Sequence, residues 1–327
     1  MNTYLRVRPC QKKSSNYEIL KNNLFVRKNN KIEKKSSIYT FNSIFDERTQ
    51  QKDLFKVTTL PLIKEFIHGK NNLIFSYGIT SSGKSYTMRG TNSSPGLIPF
   101  SLITIFQQIS SSVSSSVPNK KIDKFCDIKS LSQNQSQQEQ NYHDQLITVE
   151  SQEYSSEILS QTHNEFVMEG FEQYFDDSIC ENTDEICCVW ISFFEIYNEK
   201  FFDLLKPGTE TQVVTSEKNF YLKDVTQVYA TSAVEAFAVF LKGQQNLHVD
   251  STNLNDSSSR SHSVFTLSLL RTNKETDETS ISKLCFADLA GNERVKKIGL
   301  SKIAETTNIN KSLMTLSRCI QELKNKS

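Results

Sequence analysis

Gly78-Ile79-Thr80-Ser81-Ser82-Gly83-Lys84-Ser85 is the stretch of this 327-residue chain from which its fold can be read. It fits the spacing G-x-x-x-x-G-K-[ST], in which two glycines let the backbone curl so that successive amides point at phosphate oxygens. Leu73-Ile74-Phe75-Ser76-Tyr77, immediately before it, is a short apolar run of strand type. Ser85-Tyr86-Thr87-Met88 can open a helix, whose N-terminus adds positive partial charge behind the loop. Lys84 is then placed to reach β and γ phosphates, and the Ser85 hydroxyl to hold Mg²⁺. A chance match in a Ser/Gly-rich turn is the simpler alternative, but the strand before and the helix after argue against it. The expected nucleotide-binding positions are Gly78, Ile79, Thr80, Ser81, Ser82, Gly83, Lys84, Ser85 and Tyr86. Guanine selectivity would need an Asn-Lys-x-Asp element. The nearest approach, Asn119-Lys120-Lys121-Ile122, has no aspartate in place, so ATP is the expected nucleotide.

Two further stretches, Asn255-Asp256-Ser257-Ser258-Ser259-Arg260-Ser261-His262 and Asp288-Leu289-Ala290-Gly291-Asn292-Glu293, read as loops that approach a terminal phosphate from opposite sides. They match NxxSSRSH and DLAGxE, and Arg6-Val7-Arg8-Pro9 matches RxRP. Tyr39-Thr40-Phe41-Asn42-Ser43-Ile44-Phe45, Phe194-Glu195-Ile196-Tyr197-Asn198-Glu199, Asp203-Leu204-Leu205 and Asn310-Lys311-Ser312-Leu313 complete the set. On these residues, and in their order, the chain resembles the kinesin motor domain from its first strand to nearly its last residue. Only residues 107 to 185 show no match. The phosphate loop, with Ser81 where kinesins commonly have Gly, and Trp190 to Glu199 are similar to the mitotic-kinesin-like (kinesin-6) subfamily, as is a long insertion at this position. Asn292 replaces the Ser usual in DLAGSE. Neither departure removes a side chain with an expected chemical role.

The resemblance implies a role for each motif residue. Arg6, Arg8 and Pro9 flank the adenine. Ser259 is a second hydroxyl at Mg²⁺, while Ser258 and Asn255 orient the phosphate and the lytic water. Asp288, at the end of the strand-like run Leu284-Cys285-Phe286-Ala287, holds Mg²⁺ through a water. Gly291 offers a backbone N–H to the γ phosphate where any Cβ would crowd the anion. Arg260 and Glu293 form a salt bridge when both loops close, and Glu293 ends a water-relayed proton path. Because phosphoryl transfer spreads charge over the γ-phosphate oxygens, Lys84 and these groups act by positioning and electrostatic stabilisation. Taken singly, a loop Ser or Asn is usually a solvated turn residue and an Arg–Glu pair a weak surface contact.

The remaining sequence bounds the layout. A hydrophobic share of 37% with a net charge of +1 is globular and excludes a strongly basic or acidic binding protein. No signal peptide and no apolar run of membrane-span length is present, and the seven cysteines lack metal-type spacing. A cytoplasmic, cytoskeletal protein with free thiols is expected, at the spindle or midzone by resemblance. The phosphate motifs run from residue 78 to residue 293, so one domain, 1–327, must bring them together. Strand and helix signals alternate, as in an α/β protein. The fold implied is a P-loop NTPase of kinesin type, with a mixed, mainly parallel central sheet flanked by helices on both faces. Helices are expected over Thr49 to His68 (kinked at Pro61), Leu97 to Ile109, from Ser232 onward, and over Ile303 to Lys324. Strands are expected over Tyr4 to Arg8, Ile186 to Tyr197, Val264 to Leu270 and Ile281 to Ala287. Residues 107–184 are rich in Ser, Gln and Asn, and disorder is expected for most of them, with Phe166-Val167-Met168 as a local docking cluster.

From Arg294 to Lys326 basic residues predominate: Arg294, Lys296, Lys297, Lys302, Lys311, Arg318, Lys324 and Lys326 against Glu305 and Glu322. By resemblance this segment meets the acidic surface of microtubules. No nucleic-acid motif accompanies the patch, and no membrane partner is expected. The resemblance also implies a homodimer in the full-length protein. The chain ends at Ser327, before the further track-binding loop, last strand, last helix and neck linker of kinesin motors, so weak or absent motility is expected of these residues alone. A microtubule-stimulated ATPase motor acting in mitosis or cytokinesis is the leading expectation. A nucleotide-gated microtubule crosslinker with negligible hydrolysis and a generic P-loop NTPase are the alternatives.

Overall fold

The computed structural model describes residues 1–10, 17–27, 36–114, 118–123, 127–167, 184–215, 220–247, 260–292 and 303–326. Strand β1 (Tyr4–Arg6) is followed by an antiparallel sheet of β2 (Tyr17–Leu20), β3 (Asn23–Arg27) and β4 (Ser36–Thr40). Strand β5 (Ser43–Phe45) then returns to pair in parallel with β1. Helix α1 (Gln51–Thr58) ends at Thr59 and α2 (Leu60–Ile67) begins at once, with Pro61 in its first turn. A proline there needs no backbone donor, so the kink falls where the sequence placed it. Gly69, at φ 95°, closes α2. Next come β6 (Asn72–Ser76), α3 (Lys84–Met88), the short hairpin β7 (Gly90–Thr91) and β8 (Ser94–Pro95), and the buried helix α4 (Leu97–Gln108).

The Ser- and Gln-rich region holds β9 (Lys120–Ile122), β10 (Ile128–Ser130), α5 (Gln133–Leu146) and α6 (Val149–Val167). After it run β11 (Glu185–Tyr197), β12 (Lys200–Asp203), β13 (Glu210–Thr211), β14 (Val213–Thr215), β15 (Phe220–Leu222), β16 (Val228–Ala230), α7 (Ala233–Gln245), β17 (His262–Asn273), β18 (Thr279–Asp288) and α8 (Ile303–Lys326). Among the described residues the main sheet has the order β13-β12-β11-β17-β18-β6, with β16 also on β11.

That sheet corrects one expectation: among the described residues it is mainly antiparallel, and only β18 with β6 pairs in parallel. The reason is the connections. Asn198 and Glu199 take φ of 53° and 65° in the tight turn between β11 and β12. Asn273 caps the β17–β18 turn by accepting from the amides of Glu275 and Thr276. Strands joined so tightly can only run antiparallel.

Successive residues point to opposite faces of the sheet, and the core divides accordingly. Ile74, Phe265 and Phe286 join the large cluster formed with α1, α2, α4 and α7. Their neighbours Phe75, Val264 and Ala287 face Ile309 and Leu313 of α8. Further along, Cys188, Trp190 and Leu270 are covered by Ile122 of β9. Strand β11 is thus enclosed on both sides, as its unbroken apolar run implies.

The disorder expected over 107–184 does not describe the part of it seen here, which includes two helices. Helix α5 is started by a capping box, Ser132 with Gln135. Leu146, Ile147, Ile158 and Leu159 are buried in the large cluster. The Tyr142 hydroxyl donates to the Leu205 carbonyl at 2.6 Å, and the Lys121 amine lies 5.0 Å from the Trp190 ring centroid. A polar composition hid these few well-spaced anchors. Residues 168–183, including Met168 of the expected docking cluster, lie outside the described residues.

Candidate functional site: a phosphate loop beside Asp288

The parallel register of β6 with β18 sets Ser76 opposite Asp288, so the phosphate loop and the Asp288–Gly291 loop leave the sheet side by side. Strand β17 is antiparallel to β18, with Ser263 opposite Asp288. Its first residues, preceded by Arg260 and Ser261, therefore enter on that same edge. The phosphate loop, the Arg260–His262 segment and the Asp288–Gly291 loop therefore meet at one sheet end, the carboxyl end of the parallel pair, where open α/β sheets bind ligands.

Within the loop, Gly83 caps α3 at φ 101°, a left-handed conformation that disfavours any Cβ. A Cβ on Gly78 would lie 2.6 Å from Ser82 Oγ. Ser81 takes φ 60°. A glycine would be unstrained at that angle. The Arg8 guanidinium donates to the Ser81 carbonyl. Lys84 Nζ donates to the carbonyls of Gly78 at 3.1 Å and Ile79 at 3.0 Å, folded across the mouth of its own loop. Ile79 and Tyr86 are exposed. The Arg6 guanidinium sits 5.1 Å from the Tyr86 ring centroid and donates to Gln51 at 2.6 Å and Thr87 at 2.8 Å. Burial lowers its pKa, only partly offset by Tyr86. Gln51 donates in turn to the Tyr86 carbonyl at 2.5 Å. Gln51 and Thr87, not singled out from the sequence, hold the Arg6–Tyr86 face in place. Pro9 is exposed beside Arg8.

The carboxylate of Asp288 is the centre of the site. Ser85 Oγ donates to one of its oxygens at 2.6 Å and Ser76 Oγ to the other at 2.9 Å. Burial raises its pKa, opposed by the two hydroxyls and by the charges of Lys84 and Arg89. A small cavity of about 60 Å³ opens here, lined by Ser85, Asp288, Ser261, Ser263, Arg89 and Gln244. A hydroxyl and a desolvated carboxylate in contact are hard oxygen donors, and they fit Mg²⁺. Ser76 was missed in the sequence because its partner is 212 residues away.

Gly291 is buried on the same loop. Asn292, set aside in the sequence as chemically neutral, donates through Nδ2 to the Tyr77 hydroxyl at 2.8 Å and so ties this loop to the end of β6. Arg260 is half-buried at the entry to β17. Asn255, Ser258, Ser259 and Glu293 lie outside the described residues, and so do Arg294, Lys296, Lys297 and Lys302 of the basic segment. Of that segment, Lys311 and Arg318 are exposed on α8. Lys311 Nζ lies 2.6 Å from Glu199.

Ser232, from which a helix was expected, is the N-cap of α7. It accepts from the Glu235 amide, and the Glu235 carboxylate turns to Thr231. No helix among the described residues is long and apolar enough to cross a membrane.

The chain is similar to Kinesin-like protein KIF23 of Mus musculus, 33% identical over 89% of this chain and 32% of that protein. It is 32% identical to Kinesin-like protein KIF20A of Mus musculus over 88% of this chain and 37% of that protein. With Kinesin-like protein subito of Drosophila melanogaster it shares 32% identity over 97% of this chain and 52% of that protein. It thus spans between about a third and a half of the length of these relatives. A solved structure titled "kinesin 6" superposes with a TM-score of 0.71 at 26% identity, covering 100% of this chain and 84% of that one. The family model of the kinesin motor domain matches residues 6–327, over the edge where Lys84, Ser85 and Asp288 meet, and the chain belongs to that family.

Proposed function

We propose that this chain is the ATP-hydrolysing part of a microtubule motor, stimulated by its track and acting in mitosis or cytokinesis. The observation that carries the reading is the contact of Ser85 with Asp288 at 2.6 Å beside Lys84. It joins the end of the phosphate loop to the loop expected to sense the γ phosphate. ATP would enter over the exposed Tyr86 and the half-buried Arg6. Lys84 exchanges its two carbonyl partners for β and γ phosphate oxygens, an exchange driven by the stronger charge-assisted bonds. Ser85 and Ser259 of the first switch would hold Mg²⁺, with Asp288 acting through a water; the ion would supply charge neutralisation for the departing diphosphate. The Gly291 amide meets the γ phosphate. By resemblance, Glu293 would pair with Arg260 and end the water-relayed path that takes up the proton of the attacking water.

The α8 helix carries Lys311 and Arg318 outward and packs Ile309 and Leu313 on Ala287, Leu289 and Ala290. Movement at Asp288–Gly291 is thereby felt by the face proposed to bind tubulin. Likeness to kinesin-6 proteins supports a spindle or midzone location and a homodimer in the full-length protein. Phosphate release measured with and without microtubules tests the activity. Release stimulated by microtubules and abolished in Lys84→Ala is expected. ATP binding without release at saturating microtubules would instead establish the crosslinker.

A further inference from the structure

His262 opens β17, only 7% exposed, and both of its ring nitrogens are engaged. Nδ1 is 3.0 Å from the backbone nitrogen of Ala290, in the Asp288–Gly291 loop. Nε2 is 2.7 Å from Ser312 Oγ, in α8. The Ala290 amide can only donate, so Nδ1 carries the lone pair and Nε2 the proton. Ser312 accepts from Nε2 and passes its own hydrogen to the Ile309 carbonyl at 2.7 Å. The four groups form a one-way chain: Ala290 to His262 to Ser312 to Ile309. Burial, reinforced by the positive charge of Lys84, holds the imidazole down at about 4, so a single neutral tautomer persists at physiological pH. Leu289, Ala290, Ile309 and Leu313 form an apolar cluster beside it, and the Ala290–His262 bond is buried, so breaking that bond would leave a polar group without water.

We propose that His262 is a positioning residue that couples the Ala290–Gly291 loop to α8 through Ser312. The imidazole is flat and rigid, and its two nitrogens, one carbon apart, point in fixed, divergent directions. When Ala290 shifts, either a buried bond is lost or Ser312 must follow. The link runs through the strand that carries the Arg260–His262 segment, so both loops at the phosphate edge act on one point of the helix, separately from the apolar packing of Ile309 and Leu313. A histidine that merely satisfies local polar groups would stabilise the fold without favouring one nucleotide state over another. A coupling residue must change how nucleotide alters affinity for the track.

This inference rests on the proposed function, and the test separates the two. Microtubule affinity of the chain is measured with Mg·ADP and with a Mg-bound non-hydrolysable ATP analogue, and the ratio of the two dissociation constants is compared among the parent, Ser312→Ala and Ser312→Thr. Ser312→Ala avoids the packing risk of altering the buried ring. Loss of the single bond is expected to shrink the parent's ratio by about fivefold, and Ser312→Thr, which keeps the hydroxyl, is expected to restore it. A ratio in Ser312→Ala equal to the parent's overturns the relay and leaves the motor reading standing. A parent ratio of one overturns the motor reading, and the relay with it.

Discussion

Acidification places a second proton on His262, and the structure has no room for it. Both ring nitrogens would then be donors, yet Nδ1 faces the Ala290 amide, which is itself a donor. Burial, with the charge of Lys84 behind it, depresses the pKa from 6.5 to about 4. Each pKa unit is worth about 1.4 kcal/mol, so the neutral ring favours the fold by about 3 kcal/mol when the effect is fully expressed. The sign follows from proton counting. Between 6.5 and about 4 the unfolded chain binds more protons at this position than the folded one, so stability is present above that window and is lost as pH falls through it. At about pH 5 roughly 2 kcal/mol of it is gone. The assay is urea denaturation of the parent and of His262→Gln at about pH 7.5 and about pH 5. Glutamine keeps an acceptor and a donor but does not titrate. Asp288, whose raised pKa works in the opposite direction, is common to both proteins and cancels in the comparison. The parent should lose about 2 kcal/mol more than the variant on acidification. Equal losses would refute the reasoning, because they would mean that the ring is not held neutral.

Replacing Ser81 by glycine removes a left-handed residue at φ 60°, worth about 1–2 kcal/mol, against an entropic cost of about 0.5–1 kcal/mol. Ser81→Gly should therefore unfold at slightly higher temperature, and a lower melting temperature would show that the loop is not strained there. His143 of α5 lies 3.4 Å from the Glu235 carboxylate of α7 and 3.3 Å from that of Asp144, stacked on Tyr229. Burial lowers its pKa, but the bonds and charges of Glu235 and Asp144 outweigh burial and raise it overall. The stability it contributes is complete below 6.5 and fades as pH rises through the folded value. Hydrogen exchange of α5 should thus speed up from about pH 6 to about pH 8.5 more in the parent than in His143→Gln, after correction for the intrinsic rate. An identical pH dependence in the two proteins would exclude His143 as the group that holds this helix.

The sequence by itself determined what depends on neighbours along the chain. The phosphate loop could be read because its glycines, lysine and hydroxyl act through contiguous backbone, and the Pro61 kink and the long α8 helix followed from local rules. The same local reading failed for residues 133–167. Their helices are anchored by a few residues such as Tyr142, Leu146 and Leu159 against elements far away, and an average over polar composition cannot register such anchors. It failed again for strand direction, because alternation of elements does not say which strands become neighbours.

Only the tertiary structure decided that Ser76, Ser85 and Asp288 share hydrogen bonds, and that His262, quoted in a motif but given no task, touches both Ala290 and Ser312. Those partners lie 28 and 50 residues away from His262. Pairing register, burial and the direction of a donor are properties of the packed chain. They arise when segments distant in sequence exclude water together, and no window along the chain contains both sides of such a contact.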